Sequence, residues 1–325
     1  MFKYLDGRIE VAGRYMSDRT SSRAATAKAA TAVLAQAVYV DSSTNMEKLA
    51  ALHSGKGLIA FDLDNTMVPA GTTMTEETAR AMAELLKYRK VAIVSGAGFS
   101  EIDRRVVDVL KGVLAEMDQA ELMANLILLP SVGSSLYTYS NGGYAAVYSE
   151  NLKEAEKSHI RAVFTALLDE GAFGRQAQVY GDQIVDKGSS MTLVITGNDA
   201  PPDVKNSCDP NKALRRSLLP RVRGEIGAGF NVTLGGPESI DVTRSGVDKG
   251  YGVEKLITTL GIRNGDVVYI GDAFASDGND YPVLRTGVDA LHVKSPTETW
   301  KFVLAVVRNA SINAQLLRKS SSDQA

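Results

Sequence analysis

Two aspartates one residue apart, Asp62 and Asp64, stand directly after the apolar run Gly57-Leu58-Ile59-Ala60-Phe61. Strand alternation predicts that both side chains point to one side. Two crowded carboxylates are costly unless a cation offsets them, and a hard divalent ion with oxygen ligands, such as Mg2+, is the natural partner. A third carboxylate, Asp272, follows the run Val267-Val268-Tyr269-Ile270-Gly271, and Asp280 in Asn279-Asp280 offers a further oxygen near the metal. An aspartate so placed can attack phosphorus and form an aspartyl-phosphate while the metal neutralises charge. Asp62 is the expected nucleophile. Asp64 is expected to protonate the leaving oxygen and then to deprotonate water or another hydroxyl. The ligand set read from the sequence is Asp62, Asp64, Asp272 and Asp280. It requires the side chains of residues 62, 64 and 272 to lie near enough to share one ion.

Two further positions fit the same chemistry. Ser95, followed by Gly96, ends the run Val91-Ala92-Ile93-Val94 and would contact the phosphoryl group through its hydroxyl. Lys249 falls in the first turn of a helix expected to begin at Asp248, where a cation opposes the helix dipole. A locally unfavourable charge is more often functional, and the expected role is to balance phosphate and carboxylate charge. Each feature alone has a plain reading as a turn, a cap or a solvated lysine. The combination, in this order and each at a strand end or helix start, is far more specific.

These residues need elements to gather them. The four apolar runs, with Leu126-Ile127-Leu128-Leu129 before Pro130 as the fourth, read as parallel strands buried on both faces. Between them lie helical segments. Thr75 to Tyr88 has Thr75 as N-cap and a stripe of Ala79, Met82, Leu85 and Leu86; Ser100 to Met117 begins with a capping-box-like Ser100-x-x-Asp103; Asp248 to Leu260 ends at Gly261. Strands alternating with helices predict a doubly wound, mainly parallel Rossmann-like α/β core, with ligands outside the carboxyl ends of the strands. The middle differs. A helix over Leu152 to Glu170 precedes the alternating segments Gln183 to Asp186, Met191 to Thr196, Phe230 to Leu234 and Ile240 to Thr243. These predict an inserted α+β cap on an antiparallel sheet. The expected organisation is a helical extension over 1–55, a core over 56–150 and 245–310, a cap over 151–244 and a tail over 311–325, frayed after Leu317. The alanine-rich Ser22 to Val38 is the expected helix of the extension, packed on the core or on a second copy of the chain, so that a homodimer stays open.

Composition narrows the partners. The 325 residues carry 36 basic and 38 acidic side chains, which gives no electrostatic footprint for nucleic acid or an anionic membrane. One cysteine, Cys208, excludes an internal disulfide, and it reads as incidental rather than as a nucleophile. The histidines, His53, His159 and His292, show no metal-ligand spacing. Ser95-Gly96-Ala97-Gly98 is too short for a dinucleotide loop. Neither a membrane-length apolar run nor a signal-peptide core is present, so the expected location is the cytoplasm and the expected partner a small phosphorylated molecule.

The motifs resemble the haloacid dehalogenase superfamily. Asp62-Leu63-Asp64-Asn65-Thr66 matches its first motif, Ser95 its second, Lys249 its third, and Gly271-Asp272 through Asp280 its fourth. A cap between the second and third motifs is the arrangement called type IIB. Within it, Gly235-Gly236-Pro237-Glu238-Ser239-Ile240-Asp241-Val242 and Gly246-Val247-Asp248-Lys249-Gly250-Tyr251 are similar to eukaryotic-type phosphomannomutases and their bacterial hydrolase relatives. The resemblance covers roughly residues 56–305. It implies that Ser239 and Asp241, on the last cap strand, contact a sugar. The chain departs from the mutase pattern in two places. Pro69 is followed by Ala70-Gly71-Thr72 where mutases carry an arginine, and Asp186-Lys187-Gly188-Ser189-Ser190-Met191-Thr192-Leu193 lacks the mutase asparagine and has lysine for arginine. Lys187 could bind a distal phosphate, with Arg175, Arg221 and Arg223 as weaker candidates.

Three functions follow. The first is a magnesium-dependent phosphatase acting on a phosphorylated sugar or similar metabolite through an aspartyl-phosphate. The second is a phosphohexomutase, which needs a second phosphate site in the cap and exclusion of water. The third is a non-catalytic sugar-phosphate binder, against which the intact set of Asp62, Asp64, Lys249 and Asp272 counts.

Overall fold

The structure, a computed structural model, describes residues 45–174 and 176–322, together with the strand segments Tyr4–Leu5, Arg8–Ile9 and Ala37–Tyr39. Its contacts divide into two units, Met1–Leu34 and Ala35–Ala325. In the first, β1 (Tyr4–Leu5) and β2 (Arg8–Ile9) pair antiparallel.

The second unit is built on two sheets. Its chain order is β3 (Ala37–Tyr39), α1 (Met46–Leu52), β4 (Leu58–Phe61), α2 (Glu76–Leu86), β5 (Lys90–Val94), α3 (Phe99–Ile102), α4 (Asp108–Glu116), β6 (Leu126–Leu129), β7 (Ser135–Ser140), β8 (Gly143–Ser149), α5 (Glu154–Asp169), β9 (Ile184–Asp186), β10 (Met191–Val194), α6 (Pro202–Cys208), α7 (Ala213–Ile226), β11 (Phe230–Gly235), β12 (Ser239–Arg244), α8 (Lys249–Leu260), β13 (Val267–Gly271), β14 (Asp289–His292) and α9 (Pro296–Ser322). The larger sheet has eight strands in the order β3-β14-β13-β4-β5-β6-β7-β8. Its first six strands run parallel, and the hairpin β7–β8 closes one edge antiparallel.

Alternation explains why the apolar runs are continuous. Ile59, Phe61, Val91, Ile93, Leu126, Leu128, Val268 and Ile270 pack on the side of α2, α4 and α9. Leu58, Ala60, Ala92, Val94, Ile127, Leu129, Val267 and Tyr269 pack on the side of α8. Both faces are covered, so neither set of alternating positions is left for polar side chains. The second sheet is antiparallel, in the order β11-β12-β10-β9. Its Leu193, Val232, Leu234, Ile240 and Val242 pack against Ile160, Phe164 and Leu167 of α5 and Val222 and Ile226 of α7. The fold is therefore the expected one: a mainly parallel Rossmann-like core carrying an α+β cap on an antiparallel sheet.

Several details differ from expectation. The capping box read at Ser100 does not form. The helix starts one residue earlier, at Phe99 after Gly98, and passes through a π-helical turn over Asp103–Val107 before α4. Most of the helix expected over Ser22–Val38 lies outside the described residues. Its last two positions, Ala37 and Val38, are instead in β3, paired with Ala290 and Leu291, because Val38 and Tyr39 suit an edge strand. In the tail, α9 continues to Ser322. Cys208 ends a helix rather than lying in a loop. Among the described residues, no helix is long and apolar enough to cross a membrane.

Two contacts set the elements that matter most. Trp300 of α9 donates its indole N–H to the Met67 carbonyl at 2.8 Å, tying down the loop after β4. On the other face, α8 approaches the backbone at Gly133, whose φ is +85°, through Gly252. A Cβ on Gly252 would lie 2.7 Å from the Gly133 Cα, and backbone cannot yield as a side-chain tip can. Gly252→Ala is therefore expected to cost about 1–2 kcal/mol net of its helix-propensity gain. The midpoint of thermal unfolding should drop by roughly 3–6 °C. An unchanged midpoint would show that α8 is not seated by this contact.

Candidate active site

Four side chains meet at the carboxyl end of the parallel strands. Asp62 follows β4, Asp272 follows β13, Asp280 lies in the loop beyond, and Lys249 opens α8. Asp248 caps that helix, its carboxylate accepting the Tyr251 amide. The expected cost of a cation in a first helical turn is met by anions. The Lys249 ammonium lies 2.6 Å from Asp62 Oδ1 and 2.8 Å from Asp280 Oδ1. Lys249 is 0% exposed, which rules out a solvated surface lysine. Burial alone would drive its proton off, but Asp280 and Asp62 reverse this and hold it protonated. The Asp62 carboxyl is pushed well above the usual carboxylate range. Burial is the main cause, Asp280 and Asp272 add to it, and Lys249 opposes it. Asp272 is raised by burial and Asp280, against Lys249.

Asp280 is held from several sides. Its carboxylate accepts the Tyr269 hydroxyl at 2.5 Å and the Ala273 amide at 2.9 Å as well as the Lys249 ammonium. One ligand-capable oxygen from each of Asp62, Asp272 and Asp280 lies within 4.8 Å of the others. Three carboxylates with one ammonium leave a negative surplus that suits a divalent cation. The donor set fits such an ion in a second respect. Asn279, which lines the same cavity, has a buried amide oxygen without a hydrogen-bond partner among the described residues.

The Asp64 carboxylate is held apart from the other three acids. β4 ends at Phe61, so strand alternation does not reach residue 64, and the loop reverses at Asn65 with φ +59°. The Asp64 carboxylate lies outside the three-acid group. Its Oδ1 accepts the Gly71 amide at 2.9 Å and a guanidinium N–H of Arg105 at 2.6 Å. It still lines the cavity that Asp62 lines. The carboxylates that lie close enough to share an ion are those of Asp62, Asp272 and Asp280. Arg105 itself belongs to none of the sequence motifs. The chain lacks the arginine expected after Pro69, and here an arginine from a helical turn far along the chain reaches the same loop. The only sequence signal is Glu101 four residues before it, a common helical pair.

The cavity measures about 280 Å³ and lies between core and cap. Ser95, 1% exposed, lines it with Gly96, its hydroxyl accepting the Ala97 amide at 3.1 Å. Because Ile240 and Val242 of β12 face the cap core, Ser239 and Asp241 face the cavity. Asp241 accepts the hydroxyl of Thr192, its partner across β10, at 2.6 Å. Lys187 also lines the cavity, but its ammonium donates to the Gly96 carbonyl at 3.0 Å and lies 3.8 Å from Asp241. It joins cap to core, as does the 2.6 Å bond between the Ser134 and Ser189 hydroxyls. The turn before β12 is held by Arg215. This fully buried side chain pairs with Asp209 and donates to the carbonyls of Gly235, Pro237 and Ser239. Lys205, Lys212, Asn198 and Asn206, which no motif marks, complete the cap wall. Arg221 and Arg223 are turned elsewhere, to Glu170 and Glu225 and to the Val232 carbonyl. Arg175 lies outside the described residues.

A family model of haloacid dehalogenase-like hydrolases matches residues 201–286, the stretch from α6 through the Asp272–Asp280 loop. A probable phosphomannomutase of Caenorhabditis elegans is 24% identical over 269 residues, covering 78% of this chain and 97% of that protein. IMP-specific 5'-nucleotidase 1 of Plasmodium falciparum is 25% identical over 277 residues, 78% of this chain, which spans 60% of that protein's length. The IMP-bound structure of a mutant IMP-nucleotidase from Plasmodium falciparum superposes with a TM-score of 0.57 at 20% identity, over 80% of this chain and 69% of that one. The core with its antiparallel cap and the four motifs in order at one end of the sheet accord with these matches: the chain is similar to haloacid dehalogenase-like hydrolases and to phosphomannomutases.

Proposed function

We propose that the protein is a magnesium-dependent phosphatase for a small phosphorylated polyol or sugar. The observation that carries this is Asp62, buried, paired with Lys249 at 2.6 Å, grouped with Asp272 and Asp280, and lining a polar cavity under the cap. In this reading residues 56–150 and 245–310 make the catalytic core and 151–244 the cap that recognises the substrate. Asp62 attacks phosphorus. Its oxygen–phosphorus bond forms as the ester oxygen–phosphorus bond breaks, and Asp64 gives its proton to the departing oxygen. Water then attacks the aspartyl-phosphate, loses its proton to Asp64, and frees Asp62 and phosphate. Ser95 and the Gly96 backbone hold phosphoryl oxygens, and Lys249 balances the charge that gathers around them. A divalent cation held by Asp62, Asp272 and Asp280 would offset the negative charge of the phosphoryl oxygens. Ser239 and Asp241 offer hydrogen bonds to substrate hydroxyls.

The lining also bears on substrate class. The relatives divide between phosphomannomutases and an IMP nucleotidase. None of the described residues lining this cavity is aromatic, and polar side chains with short loops dominate it. A nucleobase gains most from stacking on aromatic faces, whereas a polyol gains from hydrogen bonds. The wall therefore favours a polyol phosphate. A mutase reading stands second, supported by coverage of 97% of the nematode phosphomannomutase-like protein. Against it, the ammonium of Lys187 is committed to the Gly96 carbonyl.

Phosphate release should be measured over a panel of sugar, polyol and nucleoside monophosphates with Mg2+. The expected result is turnover of polyol or sugar phosphates in preference to nucleotides. Interconversion of hexose 1- and 6-phosphates given a bisphosphate activator, without net phosphate release, would replace the hydrolase reading by the mutase one. Asp62→Asn should lower hydrolysis of an aryl phosphate by roughly three orders of magnitude or more and abolish the mass increase of a trapped phosphoryl-enzyme. A variant as active as the wild type removes Asp62 from the mechanism.

Protons and cation compete for the same carboxylates. Asp62 and Asp272 hold protons to higher pH in the folded state than in the unfolded chain, because burial raises them. Without a cation, that contribution to stability is present on the acid side and is lost as pH rises through the raised values. A cation that replaces those protons must therefore stabilise more at higher pH. The rise in unfolding midpoint caused by Mg2+ is expected to grow from about pH 5.5 to about pH 7.5. A rise independent of pH would place the ion elsewhere.

A further inference from the structure

We infer that Arg105 is a positioning residue for Asp64: it pins one carboxylate oxygen so that the other is left to exchange a proton with the substrate. This rests on the phosphatase reading and deepens it. Arg105 is 1% exposed, and each arm of its guanidinium is engaged. Nη2 donates to Asp64 Oδ1 at 2.6 Å, Nη1 to Glu101 Oε1 at 2.9 Å, and Nε to the Thr72 carbonyl at 2.8 Å. With three anchors in a planar fork, the group cannot turn without breaking a charge-assisted bond. Asp64 Oδ1 thus accepts from Arg105 and from the Gly71 amide together. Its Oδ2 accepts no hydrogen bond among the described residues, and Asp64 lines the cavity.

The backbone is shaped to deliver this arm. Arg105 sits in the π-helical turn of Asp103–Val107, where the Asp108 amide bonds the Asp103 carbonyl five residues back. Such widened turns re-aim side chains and recur at functional sites. The Arg105 carbonyl also accepts the Met74 amide at 2.9 Å, fastening the far end of the Asp64 loop to the same turn. That backbone bond does not depend on the side chain, so the loop stays attached when the guanidinium is removed. What is lost is the setting of one carboxylate.

A residue that sets a proton donor matters in proportion to the need for the proton. A nitrophenolate leaves without one, whereas the alkoxide of a polyol does not. Single-turnover release of nitrophenol from p-nitrophenyl phosphate and of alcohol from an alkyl phosphate, both with Mg2+, should be compared in wild type, Arg105→Lys, Arg105→Met and Asp64→Asn. Arg105→Met is expected to lose roughly 100-fold or more on the alkyl ester and less than about 10-fold on the aryl ester, tracking Asp64→Asn. Arg105→Lys should recover only part of the difference, since an ammonium lacks the fork. Equal losses on both esters, or none on the alkyl ester, overturn the proposal. If Arg105→Met does not fold, Arg105→Lys with the wild-type ratio of the two rates overturns it. A crystal structure of Arg105→Lys tests the inference apart from turnover: Asp64 found in its original rotamer sinks it, and a turned carboxylate sustains it. A wild type inactive on both esters sinks the phosphatase reading instead, and the crystallographic outcome then decides the role of Arg105 by itself.

Discussion

One ammonium buried among carboxylates is the constraint on which the rest of the structure turns. Lys249 has no water to solvate it, and its burial is tolerated only because Asp62 and Asp280 lie within 2.8 Å. To hold that geometry, two parallel strands must end side by side, and α8 must start at their level. The register of β4 against β13 does the first: it pairs Phe61 with Ile270, so that Asp62 follows one residue later and Asp272 two. The close approach of α8 to Gly133 does the second. Because the acids outnumber the ammonium, the site is still anionic. In the proposed function a cation, and then a phosphate group that shares it, would complete the site.

The cap answers a different problem. Its sheet is apolar on the face that folds against α5 and α7 and polar on the face that lines the cavity, and period-two alternation along β12 gives both. Ile240 and Val242 go under α5 and α7, while Ser239 and Asp241 go over the core. Buried Arg215 keeps the adjoining turn in shape by engaging its carbonyls, which frees the turn from needing bulky side chains. Lys187, bonded to the Gly96 carbonyl, closes the joint between the layers while lining the cavity.

Much of this is legible from residues alone. Apolar runs that stop at an aspartate are strongly constrained objects, since both faces are covered and the ligand end is fixed by chain direction. Local pattern therefore suffices to bring Asp62, Asp272, Lys249 and Ser95 together at one end of the sheet. It brings Asp64 to the cavity but not its carboxylate to the other acids, because strand alternation does not reach past Phe61 and the loop reverses at Asn65. Arg105, Lys205, Lys212 and the amide of Asn279 escape it for a shared reason: their roles depend on which distant loops they face, and no spacing encodes that. The π turn leaves no trace in sequence, and Ser100 offers a cap that the chain passes over.

The sheet order carries a consequence for how the molecule is made. β13 lies between β14 and β4, yet it follows β4 in the chain by the whole length of the cap. A nascent chain leaving the ribosome exposes one flank of β4 until β13 has emerged, an open edge with an apolar surface beside it. The cap sheet closes on itself from contiguous sequence and can form in the meantime. Translation thus yields a finished lid before a finished floor, and Asp62 gains its ammonium only when most of the chain has been made.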